Sequence, residues 1–133
     1  MNNPSGYLID TQSWLWWHIE PERLSVQTVK LIEDASVVIY FSVVSAWEIL
    51  IKHDLGKLKL PLPPSEYVPE RLEISYMEIL SVQLVHVLQL ETLPYYHKDP
   101  FDRLLIAQAM AENLAIITSD RKFREYEVRL VEA

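Results

Sequence analysis

The sequence predicts an α/β fold in which a central parallel β-sheet is flanked by α-helices. Short apolar segments with strand character alternate with longer segments of helical character, which is the order typical of parallel sheets. The 133 residues, 50% of them hydrophobic, can build the core of one compact domain and leave little room for another. We therefore expect a single domain over residues 1–133, with ligand sites beyond the carboxyl ends of the strands.

The first half of the chain runs twice from a strand into a helix. Residues 7–9 form a short apolar run, and the tryptophan-rich residues 11–18 look helical, with Pro21 ending that segment. Residues 24–35 mix apolar with polar side chains, whereas residues 37–41 are β-branched or aromatic enough for a buried strand. Residues 45–55 return to helix, which Gly56 stops.

The second half begins with a proline-rich connector. Pro61, Pro63 and Pro64 exclude regular helix or central strand over residues 60–64, because proline fixes φ and lacks an N–H donor. A short helix is expected from residue 64 or 65 to 72, then a short strand over 79–81 and a helix over 82–90. Residues 101–113 form the clearest helix, followed by a strand over 115–117 and a last strand over 128–131 that suits a sheet edge.

Charge and composition exclude several classes of protein. The net charge of −7 argues against broad binding to duplex nucleic acid, which relies on basic side chains to neutralise phosphates. It does not exclude a nuclease, because bound divalent cations would reverse the local field that a phosphate meets. The absence of cysteine excludes disulfides and thiolate metal sites. No membrane-length apolar run or signal-peptide pattern is present, so we expect a cytoplasmic protein without membrane contact.

Four acidic residues occupy corresponding positions, where a strand ends or the following helix opens. They are Asp10, Glu48, Asp102 and Asp120. Acids at the carboxyl ends of parallel strands can converge although they are far apart in sequence. Converging carboxylates repel one another unless a cation or protons intervene, and hard oxygen ligands favour Mg²⁺ or Mn²⁺. The pattern predicts one acidic pocket, and a metal site there would account for four of the seven net negative charges, leaving −3 elsewhere.

Helix capping is the structural alternative for each of these acids. Ser45 and Glu48 fit a capping box. Asp99 fits an N-cap, with Asp102 in the first turn of the following helix, and the other two acids could stabilise helix starts in the same way. Serine, threonine or asparagine would cap as well, whereas metal binding needs the negative oxygens. Four acids at matching junctions therefore favour the metal site.

Several sequence blocks, spread over nearly the whole chain, together carry a family resemblance. They are YLIDT (7–11), SAWEI (45–49), IK (51–52), LGKL (55–58), DPFDRLLIAQA (99–109) and TSD (118–120). The chain resembles the PIN domain, and within it the VapC-type ribonuclease toxins of type II toxin–antitoxin systems of bacteria and archaea. The last two blocks are specific when they occur together. The resemblance implies a PIN-like three-layer sandwich with an acidic metal site at the carboxyl edge of its parallel sheet.

The resemblance also implies the site residues. By motif match, Asp10, Glu48, Asp102 and Asp120 take the catalytic and metal-binding positions. We expect Asp10 and Asp102 to hold a central metal ion. Glu48 would position water or support the ligands, and Asp120 would hold a second ion. The cofactor would be Mg²⁺, with Mn²⁺ as a substitute.

Further residues near these motifs are expected to support the site. Thr11 or Thr118 could hold a carboxylate or a water molecule by hydrogen bonding, and Asp99 is expected to cap a helix rather than bind metal. The chain departs from close relatives at Gln12, where histidine is frequent, and at Ser119, where arginine is frequent.

The activity implied by the resemblance is endonucleolytic hydrolysis of RNA, in which metal ions activate water and stabilise the leaving oxygen. The implied partners are an RNA substrate, a small antitoxin and a second copy of the chain in a homodimer. One alternative is a catalytically weak PIN-like module that binds RNA or protein. Another is a different Mg²⁺-dependent α/β enzyme, such as a phosphatase with an aspartyl nucleophile.

Other conspicuous residues have ordinary structural interpretations. Tryptophans 14, 16 and 17 could stack on bases, but burial or a dimer contact is favoured for them. The first helix and the helices between residues 65 and 90 are candidate interfaces. The four histidines share no metal-ligand spacing, and only His97 lies near the acidic motif. Five basic residues could guide phosphate, although a solvated charge or surface ion pair is the default for each. They are Lys52, Lys57, Lys59, Arg103 and Arg121.

Overall fold

A computed structural model describes residues 3–133 and contains one five-stranded sheet in which every strand pair is parallel. The strand order is β3-β2-β1-β4-β5, so β1 lies at the centre and β5 at one edge. The strands are β1 (Gly6–Ile9), β2 (Ile39–Ser42), β3 (Glu78–Leu80), β4 (Leu114–Thr118) and β5 (Leu130–Glu132). The predicted parallel α/β sheet is confirmed, and the last strand is at an edge, as its sequence suggested.

Six α-helices in the described part of the chain connect and flank the strands. They are α1 (Thr11–Ile19), α2 (Val26–Glu33), α3 (Val43–Asp54), α4 (Pro64–Ser75), α5 (Leu84–Gln89) and α6 (Pro100–Glu112). Short 3₁₀ helices lie at Pro21–Arg23, Leu90–Thr92 and Arg121–Glu125. Within residues 3–133, no helix is both long enough and apolar enough to cross a membrane.

The two faces of the sheet bury separate hydrophobic clusters, because successive side chains of a strand point to opposite faces. On one face, Leu8 and Ile116 pack in a cluster with α6 residues such as Leu105. On the other face, Ile9 and Ile117 pack in a cluster that includes helix residues from α1, α3 and α4. The predicted three-layer arrangement of helices, sheet and helices is confirmed.

Trp14 belongs to the second cluster and is fully buried. Its ring packs against Phe41, with ring centroids 4.7 Å apart, and lies edge-on to Tyr67 at 6.2 Å. The interpretation of Trp14 as a core residue is confirmed, and its position excludes base stacking by this side chain.

The start of α3 differs from the sequence prediction. The capping box at Ser45 and Glu48 is wrong, because β2 turns directly into α3 and Ser42 is the N-cap, its Oγ accepting a hydrogen bond from Val44 N at 3.0 Å. Ser45 Oγ instead accepts a hydrogen bond from Thr11 Oγ1 at 2.8 Å. The true cap lies one turn earlier, so the Glu48 side chain takes no part in capping α3.

Candidate active site

A cleft of about 460 Å³ lies at the carboxyl edge of the sheet, and all four acids singled out from the sequence line it. Asp10 follows the central strand β1 directly, Glu48 comes from α3, Asp102 from the first turn of α6, and Asp120 from the turn after β4. Asp99 also lines this cleft. Asp10 and Asp120 are 110 residues apart in sequence (10 to 120) and share one cavity because the strands before them, β1 and β4, are parallel neighbours.

Asp10 is buried and both of its carboxylate oxygens are held. Ser13 N donates to Oδ1 at 2.8 Å, which makes Asp10 the N-cap of α1, and Thr118 Oγ1 donates to Oδ2 at 2.6 Å. Burial raises the pKa of Asp10, while the hydrogen bonds from Ser13 and Thr118 oppose that rise. The carboxylate is therefore fixed in orientation and in an environment that favours charge neutralisation.

Glu48 has one oxygen in an ion pair and one without a partner. Its Oε2 lies 2.5 Å from Lys52 Nζ, one helical turn further along α3. Its Oε1 is buried and makes no hydrogen bond with the residues that the structure describes. Because a buried carboxylate oxygen without a partner is costly, this atom is available for a cation or a donor from outside the chain.

Asp102 carries the clearest electrostatic signature of the cleft. Burial, followed by the charges of Asp99, Glu48, Asp10 and Asp120, raises its pKa to about 8. The loss of hydrating water on burial is the larger cause, and the crowding of like charges adds to it. A bound cation would reverse both effects, since it attracts each carboxylate and compensates for the lost water.

Asp120 and Thr118 connect the end of β4 to the centre of the cleft. Asp120 Oδ1 accepts a hydrogen bond from Lys122 N at 2.9 Å and so caps the 3₁₀ helix Arg121–Glu125. Thr118 Oγ1 accepts from Asp120 N at 3.0 Å while it donates to Asp10. The threonine therefore fixes two of the acids relative to each other.

The other expected supporting residues have separate roles. Asp99 caps α6, since its Oδ1 accepts hydrogen bonds from Phe101 N at 2.8 Å and Asp102 N at 3.1 Å. Thr11 lines the cleft, but its hydroxyl donates to Ser45 rather than to a carboxylate. Gln12 and Ser119 also line the cleft, so both departures from the family pattern lie where a ligand would meet them.

His97 is a site residue that the sequence reasoning did not select. It is 5% exposed, and its Nε2 lies 2.8 Å from Asp102 Oδ2 and 3.1 Å from Asp120 Oδ2. These three ligand-type atoms lie within 4.8 Å of one another. The available signal was the position of His97 just before Asp99 and the helix that carries Asp102, but a single histidine without a repeated spacing does not stand out in a sequence.

Three of the five basic residues have positions that bear on the cleft or on the loop beside it. Lys52 and Lys57 line the acidic cleft. Arg103 is buried, which makes a solvated charge or a surface ion pair the wrong interpretation for it. Its guanidinium donates to the carbonyl oxygens of Pro94 at 2.8 Å and Leu93 at 3.2 Å and lies 3.9 Å from the ring centre of Tyr95. Arg103 therefore holds the loop before α6 and is not placed to bind phosphate.

The fold and the cleft define a class of protein, an α/β domain with an acidic site at the carboxyl edge of a parallel sheet. The PIN domain family model matches residues 7–128, and the chain belongs to the PIN domain family.

Two named relatives are similar to the chain in sequence, and two solved structures are similar to it in fold. It is 25% identical to Ribonuclease VapC22 of Mycobacterium tuberculosis over 120 residues, which cover 90% of each chain. It is 40% identical to Ribonuclease VapC16 of the same organism over 60 residues, 45% of this chain and 43% of that one. The fold is similar to VapBC2 from Rickettsia felis, bound to a DNA fragment from its promoter (TM-score 0.68, 18% identity, 94% and 96% coverage). It is also similar to FitAcB from Neisseria gonorrhoeae (TM-score 0.65, 20% identity, 95% and 96% coverage).

Proposed function

We propose that this protein is a metal-dependent endoribonuclease that hydrolyses RNA phosphodiester bonds and acts as the toxin of a VapBC-type pair. The observation that carries the proposal is the convergence of Asp10, Glu48, Asp102 and Asp120 in one cleft of a PIN domain. The relatives named ribonucleases support RNA as the substrate class. A cytoplasmic location is part of the same proposal, because cellular RNA is the substrate.

The residues of the cleft fit a hard divalent cation. Carboxylate oxygens are the ligands that Mg²⁺ and Mn²⁺ prefer, and Glu48 Oε1 is a buried oxygen without a hydrogen-bond partner among residues 3–133. Asp10 and Asp102 would hold a central ion, with Glu48 beside it and Asp120 at a second position. When bound, such ions supply Lewis-acid activation of water and stabilise charge on the phosphate and leaving oxygen.

The chain's own residues orient these ligands and attract the substrate. Thr118 and the N-terminus of α1 hold Asp10, which reduces the reorganisation needed when a cation enters. Lys52 and Lys57 place two positive charges at a cleft that is otherwise acidic. They are the side chains best placed to attract an RNA phosphate, because the chain as a whole carries a net charge of −7.

The first test is cleavage of a mixed pool of structured RNA by purified protein free of antitoxin. We expect cuts with Mg²⁺ or Mn²⁺ that disappear with EDTA, and a loss of rate of about 100-fold or more in Asp10→Asn, the order expected when electrostatic stabilisation of a transition state is removed. Asp54→Asn is the matched control, because Asp54 is an exposed acid at the end of α3. Unchanged cleavage in Asp10→Asn would contradict the proposal, and absence of cleavage by folded, metal-loaded protein would favour the binding-module alternative.

A small antitoxin is the proposed protein partner. Solved structures with this fold include VapBC complexes from Rickettsia felis and Salmonella typhimurium, and a toxin–antitoxin complex from Klebsiella pneumoniae. We infer that a segment of the partner covers the acidic cleft, where a basic side chain would be electrostatically complementary. Co-expression with the product of an adjacent small reading frame should give a complex whose ribonuclease activity is suppressed.

A homodimer is also part of the proposal. Helix α5 leaves four large apolar side chains about half exposed or more, at Leu84, Val85, Val87 and Leu88. Apolar clusters of this kind on a helix are typical of protein interfaces. We therefore propose that α5 contributes to the contact between two copies of the chain.

A further inference from the structure

We propose that His97 is a positioning residue that holds Asp102 and Asp120 in place by directing its Nε2–H group at their carboxylates, so that the cleft is arranged for a divalent cation before the cation binds. The inference rests on the proposed metal-dependent function. It adds a fifth residue to the four acids that the sequence motifs identify.

The backbone around His97 determines which ring nitrogen carries the proton. Asp99 N donates a hydrogen bond to His97 Nδ1 at 3.2 Å, so Nδ1 acts as an acceptor and Nε2 carries the hydrogen. Nε2 then donates to Asp120 Oδ2 at 3.1 Å, with Asp102 Oδ2 only 2.8 Å from the same nitrogen. The imidazole therefore presents a donor to the carboxylates rather than a lone pair to a metal.

Two further contacts prevent the imidazole from turning away. Its ring lies edge-on to Phe123, with ring centroids 5.7 Å apart. The backbone N of His97 donates to Tyr126 Oη at 2.9 Å, and that hydroxyl in turn donates to Pro94 O at 2.7 Å. The side chain is also buried, so contacts with the surrounding residues fix the position of Nε2.

The two carboxylates need such a group because they are close and carry the same charge once both are ionised to receive a cation. Asp120 Oδ1 is already engaged by Lys122 N, and within residues 3–133 its Oδ2 is held only by His97. Without the Nε2–H dipole, repulsion would turn Asp102 or Asp120 away from the position that a shared cation requires. Cation binding would then have to reverse that rotation, which lowers affinity.

Direct ligation by His97 is the competing interpretation. A metal-bound Nε2 would need the proton on Nδ1, and that proton would face the N–H of Asp99. Two donors cannot form the hydrogen bond that the structure contains. The geometry therefore favours the positioning role, and the two interpretations differ in whether nitrogen contacts the ion.

Three substitutions separate donation from packing. His97→Gln can place an amide N–H close to the position of Nε2, whereas the shorter side chain of His97→Asn reaches only about as far as Nδ1. His97→Phe keeps a ring against Phe123 but has no donor. Mn²⁺ affinity is measured by electron paramagnetic resonance titration of RNA-free protein, so that binding is read separately from cleavage.

We expect His97→Asn and His97→Phe to weaken Mn²⁺ binding by about 10- to 100-fold and His97→Gln to restore it to within about threefold of the original protein. Bound Mn²⁺ should show no hyperfine coupling to a histidine nitrogen. RNA cleavage at saturating Mn²⁺ should recover in part in all three variants, because excess cation compensates for lost pre-arrangement.

The possible failures are distinguishable. If the original protein takes up no Mn²⁺, both this inference and the proposed metal dependence are overturned. If the original protein binds Mn²⁺ and the Asn and Phe variants bind it equally well, only the role of His97 is overturned. Nitrogen coupling in the original protein, or a loss of Mn²⁺ affinity of about 10-fold or more in His97→Gln, would overturn it as well. These last two results decide the matter even if the Asn and Phe variants do not fold.

Discussion

Single acidic residues in this protein serve structure and site at the same time. Asp10 caps α1 through Oδ1, and Asp120 caps a 3₁₀ helix through Oδ1 while its Oδ2 faces His97. A carboxylate has two oxygens with several lone pairs, so hydrogen bonds to a helix terminus and to neighbouring side chains still leave lone pairs for a ligand. Capping at these residues is therefore compatible with the proposed metal binding.

The first prediction at the residue scale concerns Asp102. Asp102 has a pKa of about 8 in the folded protein, above the ordinary value of 3.8. The free energy of unfolding therefore falls as pH rises through that interval, because the folded protein resists ionisation of this carboxyl group. Asn cannot ionise and avoids this loss, so Asp102→Asn should stabilise the metal-free protein at neutral pH, by on the order of 1 kcal/mol. Thermal unfolding in EDTA measures the change.

Mg²⁺ provides the control for this prediction. It should raise the unfolding temperature of the original protein more than that of Asp102→Asn, because the variant lacks a ligand. A metal-free Asp102→Asn protein that melts below the original would show that repulsion at this carboxylate is unimportant.

His18 gives the second residue-scale prediction. Burial and then the charge of Arg71 lower its pKa from 6.5 to about 4. Between these two pH values His18 is protonated in the unfolded chain but neutral in the folded protein. The free energy of unfolding should therefore fall as pH drops from about 6.5 to about 4. His18→Phe keeps a ring beside Trp14 and should reduce this pH dependence, which urea unfolding across the interval would measure. If the pH dependence of stability is the same in His18→Phe, groups other than His18 cause it.

At the scale of elements, Ser42 links the start of α3 to two other helices. Its Oγ accepts from Val44 N and donates to Gln108 Oε1 of α6 at 2.5 Å. Gln108 Nε2 lies 3.3 Å from Nδ1 of His86, which is fully buried in α5. This buried set of hydrogen bonds fixes the helix that carries Glu48.

Ser42→Ala should therefore lower the free energy of unfolding by about 1 to 2 kcal/mol, because it removes an N-cap and leaves Gln108 Oε1 without its donor. Ser36→Ala, at an exposed loop position, is the matched control and should change stability by less than about 0.5 kcal/mol. Urea denaturation measures both. Equal effects of the two substitutions would mean that the buried network contributes little.

Element order was largely predictable from the sequence, whereas contacts between distant residues were not. Prolines, glycine and β-branched runs are local signals, and they located the five strands and every α-helix except α2 to within a few residues. Residues 24–35, which contain α2, showed only a mixture of apolar and polar side chains. The start of α3 was missed because its cap depends on Gln108, which is 66 residues away in sequence. The role of His97 and the burial of Arg103 were missed for a similar reason, because folding brings their side chains to partners that are not adjacent in sequence. Asp10 and Asp120 were found because strand ends are local signals and the parallel strands β1 and β4 bring those ends together. No strand directly precedes α6, contrary to the sequence interpretation of Asp102, and this acid reaches the cleft from the first turn of that helix.

At the scale of the whole molecule, the exposed apolar face of α5 leads to a prediction about assembly. We expect a dimer in light scattering after size-exclusion chromatography, and a monomer for Leu88→Glu, because a charge in an apolar interface is not compensated. Val26→Glu is the control, since Val26 is 72% exposed on α2, outside this face. A monomeric original protein, or a dimer that survives Leu88→Glu, would contradict a contact through this face.

The central position of β1 has a consequence for how the protein is made. One neighbour of β1 in the sheet is β4, which ends at Thr118. Asp10 therefore leaves the ribosome 108 residues before Thr118, and it obtains the Thr118 hydrogen bond and its place beside Asp102 and Asp120 only after β4 has been made. Under the proposed function, a partly synthesised or prematurely terminated chain would be harmless to the RNA of the ribosome that produces it.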